Sequence, residues 1–119
     1  MNCKTNRNIL NNCPIEATLA VIGGKYKPVI LWHLIDEPLH YAQLQRLIPK
    51  ATPKMLSQQL RSLEACGMIH REVIPEKPPK TRYSLTEYGR SIIPVLDAMC
   101  RWGKKCTITV SPSSPEKTL

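Results

Sequence analysis

Between Tyr41 and Arg82 the chain spells two short helices followed by a β-hairpin, and carboxylates are kept off the parts that would face outward. From Pro38 to Leu63 there is no Asp or Glu, while Arg46, Lys50, Lys54 and Arg61 are all present. The hairpin tip is acid-free again from Lys77 to Thr86, with Lys77, Lys80 and Arg82. A helix and a hairpin that both project positive charge suit a grooved polyanion, which points to duplex DNA.

The second helix of the pair has the clearest boundaries. Thr52 can cap it, Pro53 suits its first position, and Gly67 lies just past its end. Leu56, Leu60 and Leu63 recur at i, i+4 and i+7, so they must face the core. At about 100° per residue, Lys54, Gln58 and Arg61 then fall on the opposite side with Ser57 beside them. Arg and Lys pair with guanine edges, Gln reads adenine, and Ser serves a base or a phosphate. Most surface helices carry such side chains merely solvated, but solvated faces usually mix both signs, and this one does not.

Around this pair the chain reads as further helices. Pro14 opens one, Ile15, Leu19 and Ile22 follow at helical spacing, and Gly23-Gly24 ends it. Tyr26 to Asp36 is apolar nearly all round, as a central buried helix would be. Leu39 to Tyr41 can add a short strand, and Leu44, Leu47 and Ile48 edge a helix from about Tyr41 to Ile48, stopped by Pro49. Met68–Pro75 and Thr81–Leu85 read as paired strands, and the two prolines of Glu76-Lys77-Pro78-Pro79-Lys80 stiffen the loop between them. Thr86-Glu87 begins a last helix with a kink expected at Pro94 and an apolar stripe of Ile92, Val95, Leu96, Met99 and Trp102. So small a domain has little left to cover that stripe, and a second copy of the chain is the expected cover. The fold class is α+β, mainly α. Residues 1–12 are expected to be a flexible arm, 13–110 the domain, and 111–119 a disordered tail.

The 119 residues suffice for one core with little room for an active-site cavity as well. A net charge of +8 and a pI near 9.5 favour an acidic partner, nucleic acid or an anionic membrane surface. The longest apolar run, Val29 to Ile35, is broken by His33 and falls far short of the roughly 20 residues that span a bilayer. The amino end shows no apolar block before a small-residue cleavage site. With five widely spaced cysteines and no export signal, reduced thiols in the cytoplasm are expected. There is no phosphate-cradling glycine loop, no CxxC pair and no metal spacing among His33, His40 and His70, so neither cofactor nor metal is expected and the chain reads as non-enzymatic.

Read in order, the residues resemble the HxlR-type winged helix-turn-helix transcriptional regulators. The likeness runs through Cys13-Pro14-Ile15-Glu16, Gly23-Gly24-Lys25-Tyr26-Lys27 and Leu31-Trp32-His33-Leu34. It continues in Lys54-Met55-Leu56-Ser57-Gln58-Gln59-Leu60-Arg61, Gly67-Met68-Ile69-His70-Arg71 and Pro75-Glu76-Lys77-Pro78-Pro79. Tyr83-Ser84-Leu85-Thr86-Glu87-Tyr88-Gly89 and Trp102-Gly103 complete it. The resemblance implies a winged helix-turn-helix with added N- and C-terminal helices that join a homodimer. It also places the helix from Thr52 in the major groove and the hairpin along the backbone or minor groove. The chain departs from the family at His40-Tyr41-Ala42-Gln43, where an Arg–aromatic pair followed by a capping residue and an acid is usual. Tyr26 stands where Trp is common.

Cys13 stands at the start of a helix, where unpaired N–H groups favour a thiolate, although Glu16 in the same turn opposes it. In some members of the family a cysteine here senses oxidants or electrophiles with a second thiol in the partner's terminal helix. That resemblance nominates Cys106, with Cys100 next; Cys66, near the end of the helix from Thr52, is expected to be buried. The expected function is therefore an operator-binding regulator, with DNA contacts from Thr52, Lys54, Ser57, Gln58 and Arg61 on the helix and Lys77, Lys80 and Arg82 on the hairpin. A protein-interaction module would carry acids among Lys54, Gln58 and Arg61. An RNA binder would expose aromatics for stacking, whereas Phe is absent and both Trp are expected in the core.

Overall fold

The structure is a computed structural model that describes residues 13–110, by backbone alone from 107 onward. The expected arm 1–12 and tail 111–119 lie outside the described residues. Among the described residues, six helices and three strands follow in the order α1 (Pro14–Ile22), α2 (Lys27–His33), β1 (Leu39–His40), α3 (Tyr41–Leu47), α4 (Pro53–Ala65), β2 (Ile69–Ile74), β3 (Lys80–Leu85), α5 (Glu87–Arg90) and α6 (Ile93–Val110). β3 lies at the centre of a three-stranded antiparallel sheet in the order β1-β3-β2.

Ile30, Leu31 and Leu34 of the α2 region, Leu44 of α3, Leu56, Leu60 and Leu63 of α4, and Met68 at the mouth of β2 are sealed from solvent. The strands close this core with Leu39, Ile69, Tyr83 and Leu85. Because side chains alternate along a strand, those four share one face while His70, Glu72, Arg82 and Ser84 occupy the other.

Two expectations about helix length are corrected. The helix expected from Tyr26 to Asp36 spans only Lys27–His33. At its end the Leu34 N–H turns to the carbonyls of Ile30 and Leu31, and that of Ile35 to Trp32, so the last turn tightens and stops. Nor is the helix buried all round: Val29 and Trp32 are each 40% exposed. Farther on, Pro94 marks a break, not a kink. α5 ends at Arg90, Ser91 and Ile92 form a turn, and α6 begins at Ile93 with Pro94 in its first turn. Proline has no N–H to offer the carbonyl four residues back and its ring would strike it, so a new helix starts there instead.

The joint between α4 and the sheet is closely fitted. Gly67 takes the left-handed conformation (φ +79°) that reverses the chain. The Thr86 hydroxyl, 2.6 Å from the Gly67 carbonyl oxygen, can donate to it and accepts the Gly89 N–H at 2.8 Å. A side chain at Gly89 would strike the Met68 carbonyl, since an added Cβ falls 2.0 Å from its oxygen.

His33, half-buried in the last turn of α2, has its pKa lowered by burial, which disfavours the charged ring. Its folded pKa lies below its unfolded one, so the stability it contributes is present above the ordinary histidine range and is lost as pH falls through the folded value. The urea midpoint should therefore drop on acidification from pH 7.5 toward 5.5, with a smaller drop in His33→Gln. Equal drops in the two proteins would show that His33 plays no part.

Candidate nucleic-acid interface

The outward face of α4 is set by its inward one. Leu56, Leu60 and Leu63 are at most 1% exposed and lock the helix's rotation, which leaves Lys54, Gln58 and Arg61 exposed on the opposite side. Thr52, with extended backbone, caps the helix: its Oγ1 accepts the Met55 N–H at 3.1 Å. Thr52 is thus committed to the helix start while remaining exposed. Ser57 is half-buried, and its Oγ lies 3.3 Å from the Tyr41 hydroxyl, which also donates to the Pro53 carbonyl at 3.3 Å. Tyr41, the first residue of α3, thereby ties that helix to the first turns of α4.

The wing behaves differently from the expectation of unopposed charge. Arg82 Nη2 and Nε reach Glu72 Oε1 at 2.6 and 3.2 Å, and Lys80 Nζ lies 3.8 Å from Glu76 Oε1. The acid-free run from Lys77 to Thr86 is acid-free only along the chain, because antiparallel pairing places Glu72 directly across from Arg82. Both pairs are about half exposed, where ion pairs contribute roughly 0–1 kcal/mol, so either can open toward a stronger anion. Lys77, at the tip beside a cis Lys77–Pro78 bond, makes no ion pair among the described residues, and nor do Lys54 and Arg61 of α4.

Two grooves flank the ridge formed by Tyr41 and Thr81. One, of about 560 Å³, runs between the start of α3 and the wing and carries Arg46 and Lys80 with His40 and Gln43. The His40 N–H donates to Gln43 Oε1 at 2.7 Å, while His40 Nδ1 is buried without a hydrogen-bond partner among the described residues. The other, of about 360 Å³, lies between α4 and the sheet and is lined by Ser57, Arg61, Glu64, Arg71 and Tyr83 besides the ridge. Arg71 was not among the residues singled out from sequence. It stands directly across from Tyr83, and strand alternation counted from Ile69 would have placed it on the side facing α4. Burial raises the Tyr83 pKa, with Glu64 and Tyr41 acting the same way and the neighbouring Arg71 guanidinium opposing them.

The remaining candidate residues lie away from this face. Cys13 precedes α1 and is disulfide-bonded, while Cys66, Cys100 and Cys106 are free thiols. Cys66 is exposed, contrary to expectation, because it follows the last turn of α4 where the chain leaves the core. Both tryptophans also depart from their expected burial. Trp102 is 70% exposed and Trp32 40%, and Trp32 lines an apolar groove of about 250 Å³ with Val29, Leu96, Met99 and Cys100. Ile15 and Leu19 of α1 are likewise exposed. Among the described residues no three His, Cys, Asp or Glu side chains are grouped to hold a metal, and no helix is long and apolar enough to cross a membrane.

Comparison with known proteins adds a family to this geometry. Residues 21–110 match the model of the HxlR-like helix-turn-helix family. The chain is 52% identical over 93 residues to YdeP of Bacillus subtilis, described as an uncharacterized HTH-type transcriptional regulator, covering 78% of this chain and 73% of YdeP. Its structure is similar to that of the redox regulator HypR in its oxidized form, with a TM-score of 0.75, 47% identity, and 78% and 96% of the two chains covered. It is also similar to the reduced form of the transcriptional regulator YodB from B. subtilis, with a TM-score of 0.68, 30% identity, and 86% and 98% coverage.

Proposed function

The chain belongs to the HxlR-like helix-turn-helix family, and from that premise we propose that it is a sequence-specific DNA-binding transcriptional regulator, acting as a homodimeric repressor on an inverted-repeat operator in a prokaryotic cytoplasm. The observation that carries this is α4. It exposes Lys54, Gln58 and Arg61 on the side opposite a sealed leucine stripe, with no acid before Glu64, beside a wing that carries Lys77, Lys80 and Arg82. Lysine, arginine and glutamine on one helix face are the groups that read major-groove edges. No catalytic role is assigned to any residue.

The homodimer is supported by what the single chain leaves uncovered. Ile15 and Leu19 of α1, Val29 and Trp32 of α2, and Val95, Met99 and Trp102 of α6 are all at least 40% exposed. A second copy packed on these faces removes them from water and sets two α4 helices at a spacing of about 34 Å, one helical turn of DNA. The exposed tryptophans belong to this apolar surface, with Trp32 beside Val29 and Met99, and so do not favour RNA. Gel shifts test the reading: duplex DNA should be retarded and single-stranded RNA of the same sequence should not. The reverse preference would overturn it.

Thiol modulation deepens the same reading. Cys13 is the residue that opens α1, HypR is named a redox regulator, and YodB is known in reduced and diamide-treated forms. Here Cys13 and Cys106 of two subunits would give up two protons and two electrons to an oxidant such as diamide and join as a disulfide, shifting the paired α4 helices. Diamide should then change operator binding by the pre-reduced wild type and leave pre-reduced Cys13→Ser unaffected. An identical response in both proteins ends the thiol proposal without touching DNA binding.

A further inference from the structure

The slot between α4 and the sheet gathers two arginines and four hydroxyl-bearing residues around one carboxylate. Ser57, Arg61 and Glu64 fall along one edge of α4 at i, i+4 and i+7, and Arg71 and Tyr83 face them from β2 and β3. Two guanidinium groups meet one carboxylate there, and neither arginine forms an ion pair among the described residues. This sets Arg71 apart from the wing cations Lys80 and Arg82, which must first release Glu76 and Glu72. Tyr41, Ser57, Thr81 and Tyr83 line the same slot, with the Tyr41 hydroxyl engaged by the Pro53 carbonyl and Ser57.

Arg71 is exposed, yet the buried Tyr83 phenol stands directly across from it in the register and Val73 follows it on the same side of the strand. A planar guanidinium held against a rigid strand loses less freedom on binding than a lysine at a loop tip. The pair Arg61 and Arg71 also spans two elements. An anion held there by Arg71 would lie against α4 as well as the sheet, leaving Arg61 free for a base edge.

We infer that this slot seats a backbone phosphate of the operator, with the Arg71 guanidinium as its principal donor and Tyr83 as a positioning residue that holds Arg71 at the wall. The inference rests on the DNA-binding reading and adds to it a contact, outside both the helix face and the wing tip, that sets how deeply α4 enters the groove. Phosphate contacts of this kind fix register and orientation and carry no base preference.

The experiment uses the full chain and a duplex recovered by in vitro selection with the wild-type protein. Arg71→Ala should weaken binding to selected and scrambled duplexes by a similar factor and lower the slope of log K against log salt by about one. Arg71→Lys should keep the wild-type slope while losing part of the affinity, since it keeps the charge and loses the planar fork. Tyr83→Phe should weaken binding with little change of slope. In a scan placing one neutral methylphosphonate at a time, one position should cost the wild type several-fold and cost Arg71→Ala nothing further. A wild-type slope in Arg71→Ala, or a methylphosphonate profile it shares with the wild type, overturns the slot while leaving the function intact. A wild-type protein that retards no duplex at all would instead overturn the function.

Discussion

Leu60→Ala should cost about 2–5 kcal/mol of folding stability, measured as a lowered urea midpoint by far-ultraviolet circular dichroism. Leu60 is 1% exposed and packs with Leu56 and Leu63 in the core shared by α2, α3 and the sheet. Truncation removes three carbons from that core and leaves a cavity that the surrounding side chains can fill only in part. A domain of this size has on the order of 5–15 kcal/mol to lose, so the loss takes a large share of the total stability. The folded protein should still prefer the same DNA sequence, because Leu60 faces the core and not the exposed side of α4. A loss below about 1 kcal/mol would mean that α4 is rotated differently from the structure described here.

One residue further on, the expected result reverses. Arg61→Ala should leave the urea midpoint within about 0.5 kcal/mol of wild type, since Arg61 is exposed and has no ion-pair partner among the described residues. Its cost should appear in binding: about 1–3 kcal/mol, or roughly 5- to 150-fold, concentrated on the preferred base at one operator position. Competition binding against operators substituted at each position checks this. A loss of equal size on every sequence, with a shallower salt dependence, would show that Arg61 holds a phosphate and that base choice lies with Lys54 and Gln58. Adjacent residues separating stability from specificity would be direct evidence for the orientation of α4.

Much of this was legible beforehand, for reasons particular to each element. The limits of α4 were written in Thr52, Pro53 and Gly67, which act through local backbone chemistry: a hydroxyl cap, a missing N–H and a positive φ. The opposition of the leucines to Lys54, Gln58 and Arg61 follows from helical periodicity alone. Other features resisted. The end of α2 at His33 depends on a tightened turn that its apolar run does not announce. The exposure of Trp32 was hidden because an apolar residue at helical spacing looks the same in sequence whether it lines the core or the surface. Cys66 was missed because burial at a helix end depends on where the chain turns next.

What the residues settled unaided was the kind of surface: periodicity and the absence of acids are properties of neighbours along the chain, and they made α4 cationic on one side whatever it packed against. What only the tertiary structure decided was which of the cations are available. Glu72 and Arg82 are ten residues apart in sequence but paired through the hairpin register, whereas Arg61 and Arg71 come from different elements to line one slot. Charge compensation is a matter of distances of a few ångströms, and such distances between remote residues exist only after the sheet has closed on the helix.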